Sequence, residues 1–150
     1  MILKISPLMA CLLLTAGCAK IADPLPPLVR IPKPAEDLAA AQTADSIVLK
    51  FSAPTLNTDG SPATTLHRIR VMRLDEDANE RMAKQTLPEG SFLQRAEPIL
   101  TIESPDFPGY LQNGIFVVRD QSAIPQKSKF NLAAFRYAVL FINKKNQAAG

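Results

Sequence analysis

Apolar and polar residues alternate with a period of two in several stretches of this chain, and that alternation sets most of the expected elements. Residues 46–52 read Ser-Ile-Val-Leu-Lys-Phe-Ser, so a strand there carries Ile47, Leu49 and Phe51 on one face, and Ala53-Pro54 stops it. Residues 57–62 are dense in turn formers, with Gly60 free to take a left-handed backbone. A second strand over 66–74 sets Ile69, Val71 and Arg73 against Arg68, Arg70 and Met72, and the basic outward face reads as a solvated surface. Further on, 78–86 suit a helical turn or two, and 92–103 hold at least one strand around 98–102. Residues 115–119 form a short apolar strand and 135–143 a longer one, with Pro105, Pro108 and Gly109 punctuating the link before them. Weak alternation at Leu38 and Ala40 precedes the first clear strand. Short strands separated by turn signals point to an all-β fold.

The first 34 residues follow another pattern. A short start with Lys4 precedes an apolar stretch over 5–14, broken by Ser6 and Pro7, and then Thr15-Ala16-Gly17 leads to Cys18. This is the three-part layout of a secretory leader. The apolar stretch is too short to span ~30 Å of hydrocarbon, which takes about 20 residues. Residues 19–34 include Pro24, Pro26, Pro27, Pro32 and Pro34 without apolar periodicity. Proline at that density favours extended polyproline conformation at ~3.1 Å per residue, a semi-rigid stalk. Docking of the same segment into an aromatic groove is the sharper alternative, and no sequence feature names a partner for it. The expected organisation is therefore a leader over 1–17, a Pro-rich tether over 18–34 and one folded domain over 35–150.

Composition narrows this picture. A chain of 150 residues suffices for one domain with a real core. Its 47% hydrophobic content excludes wholesale disorder, and its 13 prolines imply many short segments. The formal charge of +3 is too small a field to argue for nucleic acid, and the aromatic residues, 6% of the chain, are not interleaved with a basic patch. Cys11 and Cys18 are the two cysteines, so the folded part has no disulfide framework.

Leu14-Thr15-Ala16-Gly17-Cys18 resembles the lipobox of bacterial lipoproteins, with Thr15 standing where leucine is commonest. The resemblance implies that Cys18 carries a diacylglycerol on its thiol, becomes the N-terminal residue and is acylated on its amine. An ordinary leader cut near Ala16 would leave a lone thiol in an oxidising compartment, a liability that favours lipidation. Each buried CH₂ contributes roughly 0.8 kcal/mol, so two or three acyl chains anchor the chain durably. Ala19 is not the Asp that resembles an inner-membrane retention signal, so the cell envelope, and the outer membrane where one exists, is the expected location.

The run Ile47-x-Leu49-x-Phe51-x-x-Pro54, then Asn57-x-Asp59-Gly60, then Ile69-x-Val71-x-Arg73 and finally Tyr137-x-Val139-x-Phe141-x-Asn143 resembles strands B, C and F of a fibronectin type III domain with its B-C loop. That resemblance implies an immunoglobulin-like antiparallel β-sandwich over 35–150. Phe51 then takes the place of the family's core tryptophan, and Tyr137 that of the strand-F tyrosine whose hydroxyl bonds back to the preceding loop. Leu132 lies five residues before Tyr137 where the family places a leucine six before. Gly150 falls where strand G begins, so the last strand is expected to be missing and strand F to be an open edge. The stretch 75–130 is longer than the family needs, which implies an excursion.

Catalytic chemistry has little support in these residues. His67 sits inside a strand pattern beside Arg68, with no cysteine to pair with it. Asp75-x-Asp77-x-Asn79 opens like a calcium loop, but Glu80 stands where the sharp turn needs glycine and Thr86 where a bidentate Glu closes the site. No phosphate-cradling glycine loop or zinc spacing is present. The expected protein is not an enzyme and takes no cofactor. It is a lipid-anchored envelope module presenting a β-sandwich to another envelope protein or an extracellular polymer. The alternative is the N-terminal accessory domain of a larger secreted enzyme.

Overall fold

The computed structural model describes residues 29–77, 89–123 and 133–149. The leader, Cys18, most of the tether, the helical turn expected over 78–86 and Leu132 lie outside the described residues.

Among the described residues, seven strands form two antiparallel sheets. β1 (Ala39–Thr43), β2 (Ser46–Phe51), β6 (Ile115–Asp120) and the two-residue β5 (Leu111–Gln112) make one, in the order β1-β2-β6-β5. β3 (Leu66–Asp77), β4 (Glu97–Glu103) and β7 (Ala133–Asn143) make the other, in the order β4-β3-β7. A short helix α1 (Glu89–Arg95) precedes β4, and a 3₁₀ turn (Ser104–Asp106) leads through α2 (Phe107–Tyr110) to β5. The all-β architecture of two packed antiparallel sheets thus follows the alternation in the sequence.

The core lies between the sheets. Leu49 and Phe51 from β2 meet Phe116 and Val118 from β6, and across from them stand Ile69 and Val71 of β3, Ile102 of β4, and Val139 and Phe141 of β7. All are residues of one parity on their strands, which is why each strand needed alternation to belong here. Phe51 is fully buried, stacked on Phe116 at 5.5 Å and edge-on to Phe141 at 6.0 Å. Tyr137 is half-buried and packs against this cluster from its margin. A register shift between β3 and β4, with Val71 opposite Leu100 and Met72 opposite Pro98, lets the neighbours Ile99 and Leu100 both reach the core.

The strand expected around 98–102 is β4, and the first residues of the stretch 92–103 belong to α1. One expectation needs correction: the outward face of β3 is not simply solvated. Met72, Leu74 and Glu76 on that face are all buried, α1 packs against β3, and Arg68 is held by Glu103 at 2.6 Å.

Turn chemistry explains the tight connections. Asn113 and Gly114 join β5 to β6 with φ of 53° and 81°, the mirror-image two-residue turn whose twist matches the strands. β1 and β2 are joined by Ala44-Asp45, and Ala44 takes φ 49°, a left-handed conformation that costs an alanine roughly 1 kcal/mol.

Two stability measurements follow. Phe51→Ala should lower unfolding free energy by about 3–5 kcal/mol in urea titration, a large share of a small domain's total. An unchanged midpoint would mean that Phe51 does not fill the core. Ala44→Gly should raise stability by up to about 1 kcal/mol in the same assay, because glycine takes that φ without strain.

Candidate functional site

Most connections of the two sheets sort to one end of the sandwich or the other, and each end carries a polar cluster. Arg73, the inward-parity residue beyond Ile69 and Val71, reaches across the far end of the core. Its Nη1 donates to Asp120 Oδ2 at 2.9 Å and to Ser122 Oγ at 2.7 Å, while its Nε donates to Asp75 Oδ1 at 2.7 Å. Its guanidinium also lies 5.3 Å from the centre of the Phe135 ring. Asp120 ends β6 with the parity of Phe116 and Val118, and so points inward. Its Oδ1 accepts from the Ser122 amide at 3.0 Å, the Ser122 hydroxyl at 2.7 Å and the Ala123 amide at 3.2 Å. Its Oδ2 also accepts the Tyr137 hydroxyl at 2.9 Å. The tyrosine therefore bonds to a carboxylate at the end of β6, where the link to β7 starts.

The electrostatics follow from this geometry. Burial pushes the Asp120 carboxyl upward, but the bonds from Ser122, Arg73 and Tyr137 together outweigh it and hold the group below its ordinary value. Tyr137 is pushed up, first by burial and then by the Asp120 carboxylate that its hydroxyl serves. Arg73 is held charged: burial works against it, and the bonds to Asp120 and Asp75 prevail. Each group keeps its proton state firmly. A saturated carboxylate makes a poor base, and Ser122 spends its hydroxyl proton on Asp120, so the cluster is a clamp between the sheets rather than a nucleophile and its activator.

The tether end is organised by two buried asparagines. Pro32 is fully buried and bridges to Asn57, Thr58 N donates to Ile31 O at 2.8 Å, and Asn143 Nδ2 donates to Arg30 O at 2.8 Å. Nearby, Arg30, Lys144 and Lys145 border an open cleft of about 420 Å³ with Thr65 and Asn143. A second hollow of about 310 Å³ lies where residues 33–37 pass residues 52–56, closed on one side by Asp37 accepting from Ser52 N at 2.9 Å.

The residues singled out in the sequence are not brought together. Phe51 is in the core and Tyr137 belongs to the far clamp, while Cys18 lies outside the described residues. His67 is half-buried at the start of β3, six residues before Arg73. The calcium-like run is pulled apart by β3 itself. Asp75 is exposed and paired with Arg73, and Glu76 points to the other face, buried against Arg136 at 2.5 Å. Residues 78–80 lie outside the described residues, and among those described no cluster of acidic, histidine or cysteine side chains is arranged for a metal. Asp120 went unnoticed in the sequence, and Asn143 was named there only as the end of a strand, without a role. Both were detectable, Asp120 from its inward parity opposite an inward arginine, Asn143 as the polar end of an apolar strand.

Comparison of the chain with protein-family models, with characterised proteins and with solved structures gives no match. Its function has to be argued from its own residues.

The clamp makes acid stability measurable. Asp120 is held below its unfolded value of about 3.8, so its contribution is present above that pH and is lost as pH falls through its lower folded value. Asp120→Asn should be less stable than the parent at pH 7, with a shallower decline between about pH 5 and 3 in urea midpoints. Parallel declines would mean that Asp120 is not a principal acid-sensitive group.

Proposed function

We propose that this chain is a lipid-anchored cell-envelope protein in which Cys18 carries the acyl chains and a fibronectin type III-like sandwich is presented to another envelope protein or polymer. The observation that carries the reading is the Leu14-Thr15-Ala16-Gly17-Cys18 spacing at the end of a leader-like segment, with no cysteine among residues 19–150. The way the N-terminal segment is seated supports it. Residues 30–33 are fastened to the loop after β2 and to the end of β7, so a tether arriving from a membrane would reach the domain at that end. The loops around Ala44, Ser122 and the start of β7 would then face away and be free to meet a partner.

The fibronectin-like part of the reading draws on strand order. β1, β2 and β6 in one sheet, with β4, β3 and β7 in the other, is the arrangement that the B, C and F resemblance implies. Fold alone does not fix a task, so the partner is proposed only as a class.

The test is expression of the full chain in a lipoprotein-processing bacterium, with membrane fractionation and mass spectrometry of the N-terminal peptide. The mature protein should begin at acylated Cys18 and sediment with membranes, and Cys18→Ser should abolish both. An unmodified peptide beginning at Gly17, or a soluble wild type, would overturn the reading.

A further inference from the structure

Three cations that the fold leaves without a carboxylate are gathered on one cleft at the tether end. Arg68, Arg73 and Arg136 each meet a carboxylate, that of Glu103, Asp120 and Glu76 respectively. Arg30, Lys144 and Lys145 form no ion pair among the described residues, and all three are exposed. Together they border the open cleft of about 420 Å³, and among the described residues no acidic side chain lines it. Asp59 feels the charge of Arg30, but its bond from Ser61 is the larger reason that its carboxyl is held below its ordinary value.

One side chain builds this gathering. Asn143 is buried and lies 113 residues from Arg30, yet its Nδ2 donates to Arg30 O at 2.8 Å while its Oδ1 accepts from Lys145 N at 2.9 Å. Both walls of the cleft are thus held by their backbone, and the charged ends of the side chains are left to turn toward a ligand. Like charges held side by side repel, and an anion seated among them relieves the repulsion. Placement says which anion. The segment from Cys18 to Arg30 reaches at most roughly 40 Å even when fully extended, so on an anchored chain the cleft stays close to the lipid headgroups. Such confinement raises the effective concentration of the headgroups and makes a weak contact count. Val29, beside Arg30, is an exposed apolar residue, and a membrane surface accepts that mixture of cationic and apolar side chains where free phosphate does not.

We propose that the cleft bordered by Arg30, Lys144 and Lys145 binds the phosphate of an anionic lipid headgroup and so seats the tether end of the domain on the membrane, with the loops around Ala44 and Ser122 turned outward. The inference rests on the lipid-anchored reading for its location and concerns orientation. Acyl chains hold the protein at the membrane, and the cleft decides how the domain stands on it.

Amine footprinting of the protein as a lipoprotein-processing bacterium makes it tests this. The purified protein is added to vesicles of phosphatidylcholine, alone or with one-third phosphatidylglycerol, and treated briefly with an amine-acylating reagent. Mass spectrometry then compares Lys144 and Lys145 with Lys50, an exposed lysine of the other sheet. Lys144 and Lys145 should react about tenfold more slowly on the anionic vesicles than on the neutral ones, with Lys50 unchanged, and salt at about 1 M should remove the difference. Arg30→Ala keeps the carbonyl that Asn143 holds and removes one cation, so the slowing should fall to about threefold. Equal rates on the two kinds of vesicle would overturn the proposal, as would a slowing shared by Lys50 or undiminished in Arg30→Ala. An equal slowing by inorganic phosphate on neutral vesicles would overturn it too, since the cleft would then take phosphate from any source. Sedimentation with the neutral vesicles reads the anchor separately. A protein that stays in solution there sinks the lipid-anchored reading, while its footprint on the anionic vesicles still decides for or against the cleft.

Discussion

Phe51 holds the two sheets to each other, and every polar contact at the ends of the sandwich presupposes that hold. Its ring lies nearly parallel to Phe116 within its own sheet and meets Phe141 of the opposite sheet edge-on. Full burial of a side chain of this kind contributes roughly 1.5–3 kcal/mol, and favourable ring geometry adds about 0.5–1.5 kcal/mol per pair. Phe107 extends the contact by meeting Phe116 at 5.5 Å and nearly perpendicular. That explains how the irregular link between β4 and β5, with its prolines, keeps a fixed place: Phe107 is an anchor in the same aromatic group, and Tyr110 also packs against the core. No disulfide can do this work, since both cysteines precede the domain.

An apolar centre leaves the ends of the sandwich to be closed by polar groups, which is costly unless every partner is supplied. The far end meets that condition. Asp120 has five donors, and Arg73 divides its charge between Asp120 and Asp75. On the outer face of β3, Glu76 is buried almost completely and is met by Arg136 from the neighbouring β7. The tether end is less complete, since Asn57 Oδ1 is buried with no bonding partner among the described residues. The two ends therefore differ in kind: one is a closed ionic clamp, the other a set of loops and turns that receives the N-terminal segment.

This difference also explains how much could be read in advance. Strands β2, β3, β6 and β7 were legible because each has one face in the common core, so burial imposes alternation on the sequence. β1 was faint because all five of its residues are exposed, and nothing forces a pattern on them. Helix α1 was not anticipated, because seven residues are too few to display a helical period. The turn at Asn113-Gly114 carries a plain signature, whereas Ala44 does not, since its conformation is imposed by the strands it joins rather than chosen by the residue. Tyr137 could be picked out, but its partner could not, because residues 17 positions apart are brought together only by the packing of β6 against β7 across the core.

The asparagine at the end of β7 shows how local geometry couples parts of the chain that are remote in sequence. Its Oδ1 accepts from Lys145 N and Gln147 N, each at 2.9 Å, and so shapes the turn that follows. Its Nδ2 donates to Arg30 O, 113 residues earlier, and so fastens the incoming segment. One amide thus sets both the direction in which the chain enters the domain and the direction in which it leaves β7. Because that side chain is buried, these bonds cannot be exchanged for water without loss. Seating of the N-terminal segment and the shape of the turn after β7 are therefore held by the same side chain.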